Sequence, residues 1–207
     1  MRTLELFAGT QSFSKGVKRL DPTNQAITVD LLEKFQPTHV VDVMLWDYKA
    51  AYPPGHFDII WGSPPCTDYS KAKTRGVRDL AGADALVRKC FEIIDYFKPR
   101  VWIVENVGTG LLVKRMDSLR PGISKPTYAD YCAYGKPYRK RTVFWSSCPL
   151  RLKLCAGVGK CESMTGRKHN GSCGNGTKLY NAVGVSSVWD KNAMPRSLID
   201  AMLAQCK

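Results

Sequence analysis

HFDIIWGSPPCTDYS, residues 56–70, is the stretch on which the reading of this chain turns. Phe57, Asp58, Ile59, Ile60 and Trp61 make a short run rich in β-branched and aromatic side chains, the pattern of a buried strand. Gly62-Ser63-Pro64-Pro65 stops it, because two prolines fix φ and remove two backbone donors from any continuing ladder. Cys66 follows at once. A thiol on a rigid turn just past a strand's carboxyl end stands where open α/β sheets put their chemistry. A lone cysteine after a turn is more often structural, but polar Thr67, Asp68, Tyr69 and Ser70 come next, and they predict a thiol facing a cleft.

Toward the N-terminus, residues 2–7 read as a strand that runs into Ala8-Gly9-Thr10, and Ser12–Leu20 reads as a helix with Ser12 as its N-cap. Strand, small-residue turn and helix start together make a site for a nucleotide-like ligand, since glycine lets the backbone approach closely; ordinary βα packing uses the same turn. Residues 25–29 form a second strand ending in Asp30, and 39–41 a third leading to Asp42. A carboxylate at the end of the second strand is where a ribose diol is gripped in a Rossmann-like sheet. Taken singly, such aspartates are more often caps or turn residues.

Beyond Cys66, residues 71–78 are basic, polar and loop-like, suited to phosphate contacts beside the thiol or simply to a solvated surface. Residues 83–96 carry helical apolar spacing through Leu86, Val87, Cys90, Ile93, Ile94 and Phe97, which assigns Cys90 to the core. Pro99 ends that helix. Val101-Trp102-Ile103-Val104 is a further buried strand and delivers Glu105-Asn106-Val107. A carboxyl group at one strand end and a thiol at another can share a proton-transfer site, provided partial burial raises the acid's pKa. Tyr128, Tyr131, Tyr134 and Tyr138 then lead into Arg139-Lys140-Arg141 and the strand residues Val143-Phe144-Trp145. A basic cluster opening a strand suits a base edge or phosphates. From about 146 to 187 the chain turns rich in Gly, Lys, Cys and Asn, and Arg196–Gln205 closes it as an amphipathic helix.

Composition sets the outer limits. A length of 207 residues predicts one domain, or one domain carrying a small insertion. A net charge of +13, from 31 Lys+Arg against 18 Asp+Glu, favours a polyanionic partner, nucleic acid before an anionic membrane. No apolar stretch is long enough to span a bilayer and the N-terminus lacks a secretory apolar region. Eight cysteines in that context point to a reducing compartment, the cytoplasm or nucleus, with thiols serving catalysis or metal.

The set of motifs resembles the DNA cytosine carbon-5 methyltransferases, in particular the short forms of phages and large DNA viruses. LELFAGTQSFSKG at 4–16, Asp30, Asp42, SPPCTDYS at 63–70, VENV at 104–107, YGKPYRKRTVFW at 134–145 and NAMP at 192–195 occur in the family's order. The resemblance implies an α/β, Rossmann-like, S-adenosylmethionine-dependent methyltransferase sheet with helices on both faces. It implies a catalytic domain over 1–146, a small target-recognition insertion over 147–187, and a C-terminal segment over 188–207 that returns to the catalytic domain. Cys66 would attack carbon 6 of a flipped-out cytosine in double-stranded DNA, with Glu105 at ring nitrogen N3. Arg141, supported by Arg139, would hold the base. Phe7, Ala8, Gly9, Thr10, Asp30, Asp42, Pro64 and Asn192 would form the cofactor pocket, with Phe7 on adenine, Asp30 on the ribose and Asp42 on the adenine amino group. Ser70, Lys71, Lys73, Arg75 and Arg78 would contact DNA.

Two departures stand out. Gln11-Ser12 replaces the family's glycine pair after Phe-Ala-Gly, and Pro137 falls where its Gln-x-Arg-x-Arg carries glutamine. The insertion adds a possible zinc site at Cys155, Cys161, His169 and Cys173, with Cys148 in reserve; free thiols in a loop are the plainer alternative. A tRNA methyltransferase and a catalytically weak DNA-binding relative remain the competing functions, and the intact Cys66, Glu105 and Arg141 weigh against the latter.

Overall fold

The apolar run before the two prolines is a central strand, Ile59–Gly62, with all four residues buried. It lies in a computed structural model that describes residues 1–171 and 193–206. In chain order the elements are β1 (Arg2–Leu6), α1 (Ser12–Leu20), β2 (Gln25–Asp30), β3 (His39–Val40), α2 (Tyr48–Ala51) and β4 (Ile59–Gly62). There follow α3 (Leu80–Phe97), β5 (Val101–Val107), α4 (Leu112–Leu119), β6 (Thr127–Asp130), β7 (Arg141–Ser146), the two-residue strands β8 (Met164–Thr165) and β9 (Lys168–His169), and α5 (Arg196–Gln205). Single 3-10 turns occupy Glu33–Phe35 and Tyr131–Tyr134.

Seven strands form one sheet in the order β3-β2-β1-β4-β5-β7-β6. The first five are parallel, and β7 runs antiparallel to both β5 and β6. Parallel strands are covered on both faces and so need nearly continuous apolar sequence, which Leu4, Leu6, Ile60 and Val104 supply on one face and Ile59, Trp61 and Ile103 on the other. The first face packs on α3 and α4, the second on α1 and α5. Two glycines permit close approach between helix and helix or strand and helix. A Cβ on Gly16 would lie 2.2 Å from Ile199 Cγ2, and one on Gly62 would lie 2.4 Å from Cys90 Sγ. Cys90 is accordingly a core residue, as its place in the apolar stripe predicts.

The expected α/β sheet is present, with differences in detail. Elements α2, α4 and β6 extend beyond the sequence reading. Ser12 begins α1 but does not cap it: the N–H groups of Phe13 and Ser14 donate instead to the carboxylate of Glu5 on β1, at 3.3 and 2.9 Å. A cap supplied from a neighbouring strand leaves no local sequence signal. The stretch after β7 does not simply project outward. Leu150 is buried in the second core and Cys148 Sγ lies 3.3 Å from Cys206 Sγ. Cys173 and Asn192, both expected as site residues, lie outside the described residues.

Candidate active site

Strand order reverses between β1 and β4, and in open α/β sheets that reversal leaves a crevice beyond the strands' carboxyl ends. Here it holds a cavity of about 440 Å³. On the β1 side the backbone turns through Phe7 at φ 57°, Gly9 at φ 45° and Gln11 at φ 56°. The Gly9 N–H donates to Asp30 Oδ2 and the Leu32 N–H to Oδ1, both at 2.8 Å, so one carboxylate ties the first turn to the second. Phe7, Leu31, Leu32 and Phe35 make the apolar lining nearby. Gln11 occupies a left-handed conformation that suits glycine, a strain of roughly 1 kcal/mol for another residue. Its amide donates to Phe35 O at 2.5 Å and Gln36 O at 3.1 Å, which fastens this part of the cavity wall. Glu5, 3% exposed, lines the same space; burial pushes its pKa up to about 7 despite the Ser14 and Phe13 N–H groups.

On the β4 side, Asn106 explains how the Pro-Pro turn is held. Its Nδ2 donates to Pro64 O at 2.9 Å while its Oδ1 accepts from the Val107 N–H. The Tyr69 and Ser70 N–H groups donate to Cys66 O, fixing the other side of the thiol. Trp61 Nε1 donates to Ser63 Oγ at 2.7 Å. Burial raises the Glu105 pKa, opposed by Lys140 and Ser63. Cys66 is open to solvent, yet the surrounding protein and then Glu105 push its thiol pKa up, with Lys140 pulling the other way. Cys66, Glu105, Lys140 and Tyr131 all line the cavity that Asp30 borders at its far side.

The arginines expected at the base are elsewhere. Arg141 pairs directly across the ladder with Asp130 and donates to it through Nε and Nη2 at 3.0 and 2.7 Å; Arg139 Nε lies 3.2 Å from the same carboxylate. Asp130 is fully buried and its pKa is lowered to about 2, because the hydrogen bonds from Arg141, Cys155 N–H and Arg139 outweigh burial. Strand parity is the reason. Glu105 pairs with Phe144 and Val107 with Thr142, so even-numbered positions of β7 share Glu105's face. Lys140 continues that face, its ammonium 5.1 Å from the Tyr131 ring centre. Burial lowers the Lys140 pKa, but the neighbouring Tyr131, Glu105 and Cys66 raise it on balance.

Other expected residues divide. Phe7, Ala8, Gly9, Thr10, Asp30 and Pro64 line the cavity. Asp42 does not; its carboxylate accepts the Met44 N–H in a turn. In the basic loop Lys71 and Arg75 are exposed. Lys73 and Arg78 are internal braces: Lys73 Nζ donates to Asp68 Oδ1 and Val77 O, and Arg78 donates to the carbonyls of Asp68, Ser70 and Lys73. Ser70 Oγ accepts the Ala72 N–H within the same loop. The sequence reading gave no role to Glu5, and named Ser63, Tyr131 and Lys140 only as members of a turn, an aromatic run and a basic cluster. Only Lys140 left a signal, since parity with Glu105 assigns it once the register is known.

A doubly wound sheet with an antiparallel seventh strand, and a cavity at its reversal joining a glycine turn to a thiol, is the Rossmann-like methyltransferase fold. The Entamoeba histolytica methyltransferase EhMeth has this fold, with a TM-score of 0.54 at 16% identity over 73% of this chain and 56% of that one. A family model for C-5 cytosine-specific DNA methylase matches residues 1–120. The protein named "Probable DNA (cytosine-5)-methyltransferase" of Frog virus 3 (isolate Goorha) is 35% identical over 179 residues, covering 79% of each chain. Type II methyltransferase M.AgeI of Thalassovita gelatinovora is 26% identical over 169 residues, 70% of this chain and 38% of that longer one. The chain belongs to the C-5 cytosine-specific DNA methylase family.

Proposed function

We propose that this protein transfers a methyl group from S-adenosylmethionine to carbon 5 of cytosine in double-stranded DNA, through a covalent bond from Cys66. The observation that carries the reading is the convergence of Cys66, Glu105 and Lys140 on one cavity that reaches the Gly9–Asp30 turn. The residues on that side fit the cofactor: Asp30 still presents lone pairs for ribose hydroxyls, and Phe7, Leu31, Leu32 and Phe35 offer an apolar slot for adenine. When bound, the cofactor supplies an electrophilic methyl group on a sulfonium.

The chain's own groups do the rest. Cys66 as thiolate adds to carbon 6 of the flipped base, and the electron pair moves to carbon 5. Glu105, whose pKa burial raises, donates its proton to N3 so that negative charge does not build on the ring. The Lys140 ammonium faces the base's carbonyl oxygen, the task expected of Arg141, and favours the thiolate. Loss of the carbon-5 proton after methylation expels Cys66. Exposed Lys71 and Arg75 meet phosphates, and residues 147–187 serve target recognition.

Fluorine at carbon 5 cannot leave as a proton does, so DNA carrying 5-fluorocytosine tests the reading. A denaturant-stable protein–DNA band is expected that requires S-adenosylmethionine and vanishes in Cys66→Ala. An equal band in Cys66→Ala overturns the nucleophile, and trapping confined to 5-fluorocytosine RNA overturns the DNA assignment.

A further inference from the structure

The residues after β7 are short of apolar contacts of their own. Leu154 and Val158 are 48% and 60% exposed, and the β8–β9 hairpin has two residues per strand. A hairpin that small does not hold its shape in water without a further constraint. Four side chains supply a place for one. Cys132 comes from the 3-10 turn that follows β6, Cys155 from the coil beyond β7, Cys161 from the turn closed by N–H donation to Gly157 O, and His169 from β9. Their sulfur and nitrogen atoms all lie within 4.8 Å of one another. Cys155 Sγ and Cys161 Sγ stand 3.4 and 3.7 Å from His169 Nε2. Zinc bonds of about 2.3 Å to sulfur and about 2.0 Å to nitrogen require tetrahedral S···N edges of about 3.5 Å and S···S edges of about 3.8 Å. The cluster is close to that size before any ion contracts it.

We propose that Cys132, Cys155, Cys161 and His169 bind one structural zinc ion, which fastens the stretch after β7 to the catalytic body. Three thiolates and an imidazole are a donor set that selects zinc over magnesium or calcium. Four protein ligands close the coordination sphere, so the site is structural and leaves no position for a reacting water. The fourth ligand is the notable one. Cys132, only 6% exposed, belongs to the catalytic body and takes the place that sequence spacing assigned to Cys173. Contacts around the cluster point to the same seam: the Cys155 N–H donates to Asp130 Oδ2 at 2.9 Å, Ser163 Oγ to Cys132 O at 3.3 Å, and Gly171 N–H to Pro137 O at 2.7 Å. The site is therefore joined to the carboxylate that orders Arg139 and Arg141, directly through the Cys155 N–H and through Cys132 two positions after Asp130, with Lys140 between the two arginines.

The test is metal content of the full chain purified without chelators. About one zinc per chain is expected, and cobalt in its place should give the visible bands of a tetrahedral thiolate site. Cys161→Ser, Cys132→Ser and His169→Ala should each weaken zinc, by more than the roughly 10–100-fold typical of residues behind the ligands. Cys173→Ser should retain it. Because Cys132→Ser removes a buried group and can unfold the chain, the unsubstituted protein is also titrated against a chromophoric chelator; stripping zinc should lower its melting temperature. A folded, metal-free protein that takes up no added zinc overturns the proposal, as does zinc kept in Cys161→Ser or lost in Cys173→Ser.

Discussion

In the parallel half of the sheet, β1, β2 and β4 deliver Gly9, Asp30 and Cys66 from turns at their carboxyl ends. In the β6–β7 ribbon, Lys140, Arg141 and Asp130 are sorted by the face of the strand each one takes. The first arrangement depends on where a strand stops, which prolines and glycines announce. The second depends on parity, and a one-residue shift exchanges every side chain between the two faces. The exchange of Arg141 for Lys140 accordingly falls on the ribbon, while the misplaced Asp42, Lys73 and Arg78 sit in loops and spend their side chains on contacts within them.

Variants at the two places should separate chemistry from scaffolding. The largest effect is expected at Glu105. Glu105→Gln should slow adduct formation roughly 10²-fold or more. It should also change the shape of the pH profile. In the proposed mechanism turnover needs Glu105 protonated and Cys66 ionised while both pKa values are raised, so the wild-type rate should rise with pH and level off once Glu105 ionises. A glutamine that never ionises should let the rate keep climbing until the thiol itself titrates. A levelled profile in Glu105→Gln would assign the plateau to another group.

Next comes the ribbon itself. Lys140→Ala should cost roughly 10²-fold in methyl transfer, the usual size of a lost electrostatic donor. Arg141→Ala should act on folding stability and leave the thiol adduct on 5-fluorocytosine DNA intact. The opposite outcome, with Arg141 essential and Lys140 dispensable, would mean the ribbon shifts register when DNA binds.

A smaller effect is expected from Asp130→Asn. The folded pKa of Asp130 is about 2 against an ordinary 3.8. A depressed carboxylate stabilises fully above its unfolded pKa and loses that contribution as pH falls toward the folded one, here between about pH 5 and pH 2, and the amount is about 2 kcal/mol. Asn should remove most of it at neutral pH and flatten the acid limb of the unfolding free energy, read by denaturant titration at several pH values. Smallest is Gln11→Gly. It relieves left-handed strain but loses two amide contacts, so stability should change by less than about 1 kcal/mol. S-adenosylhomocysteine should then give a smaller thermal shift, because Leu32 and Phe35 are less firmly held.

These contrasts also describe how much of the molecule was readable beforehand. Ser12–Leu20 and Arg196–Gln205 are helices at their expected limits, and Cys66, Glu105 and Asp30 meet at one cavity, because apolar period and turn residues are local signals. Strand β6 escaped notice: Thr127–Asp130 is four residues long and gains its meaning only by pairing with β7. The Glu5 cap, the Asp130 hub and the recruitment of Cys132 each join residues distant in sequence. No window of sequence contains such a contact, and spacing arguments therefore chose Cys173 within the insertion over a thiol more than twenty positions upstream of Cys155.

The hydrogen bond from the Met194 N–H to Ser12 Oγ, at 3.1 Å, bears on the order in which the molecule is made. A growing polypeptide that has left the ribosome only through β7 already carries Gly9, Asp30, Cys66, Glu105 and Lys140. Its α1 still lacks Ile199 over Gly16, and its cavity still lacks the Met194 wall. Nascent chains arrested at that stage would thus display the proposed nucleophile beside an unfinished cavity, and on the proposed function would acquire tight cofactor binding only after translation has passed α5.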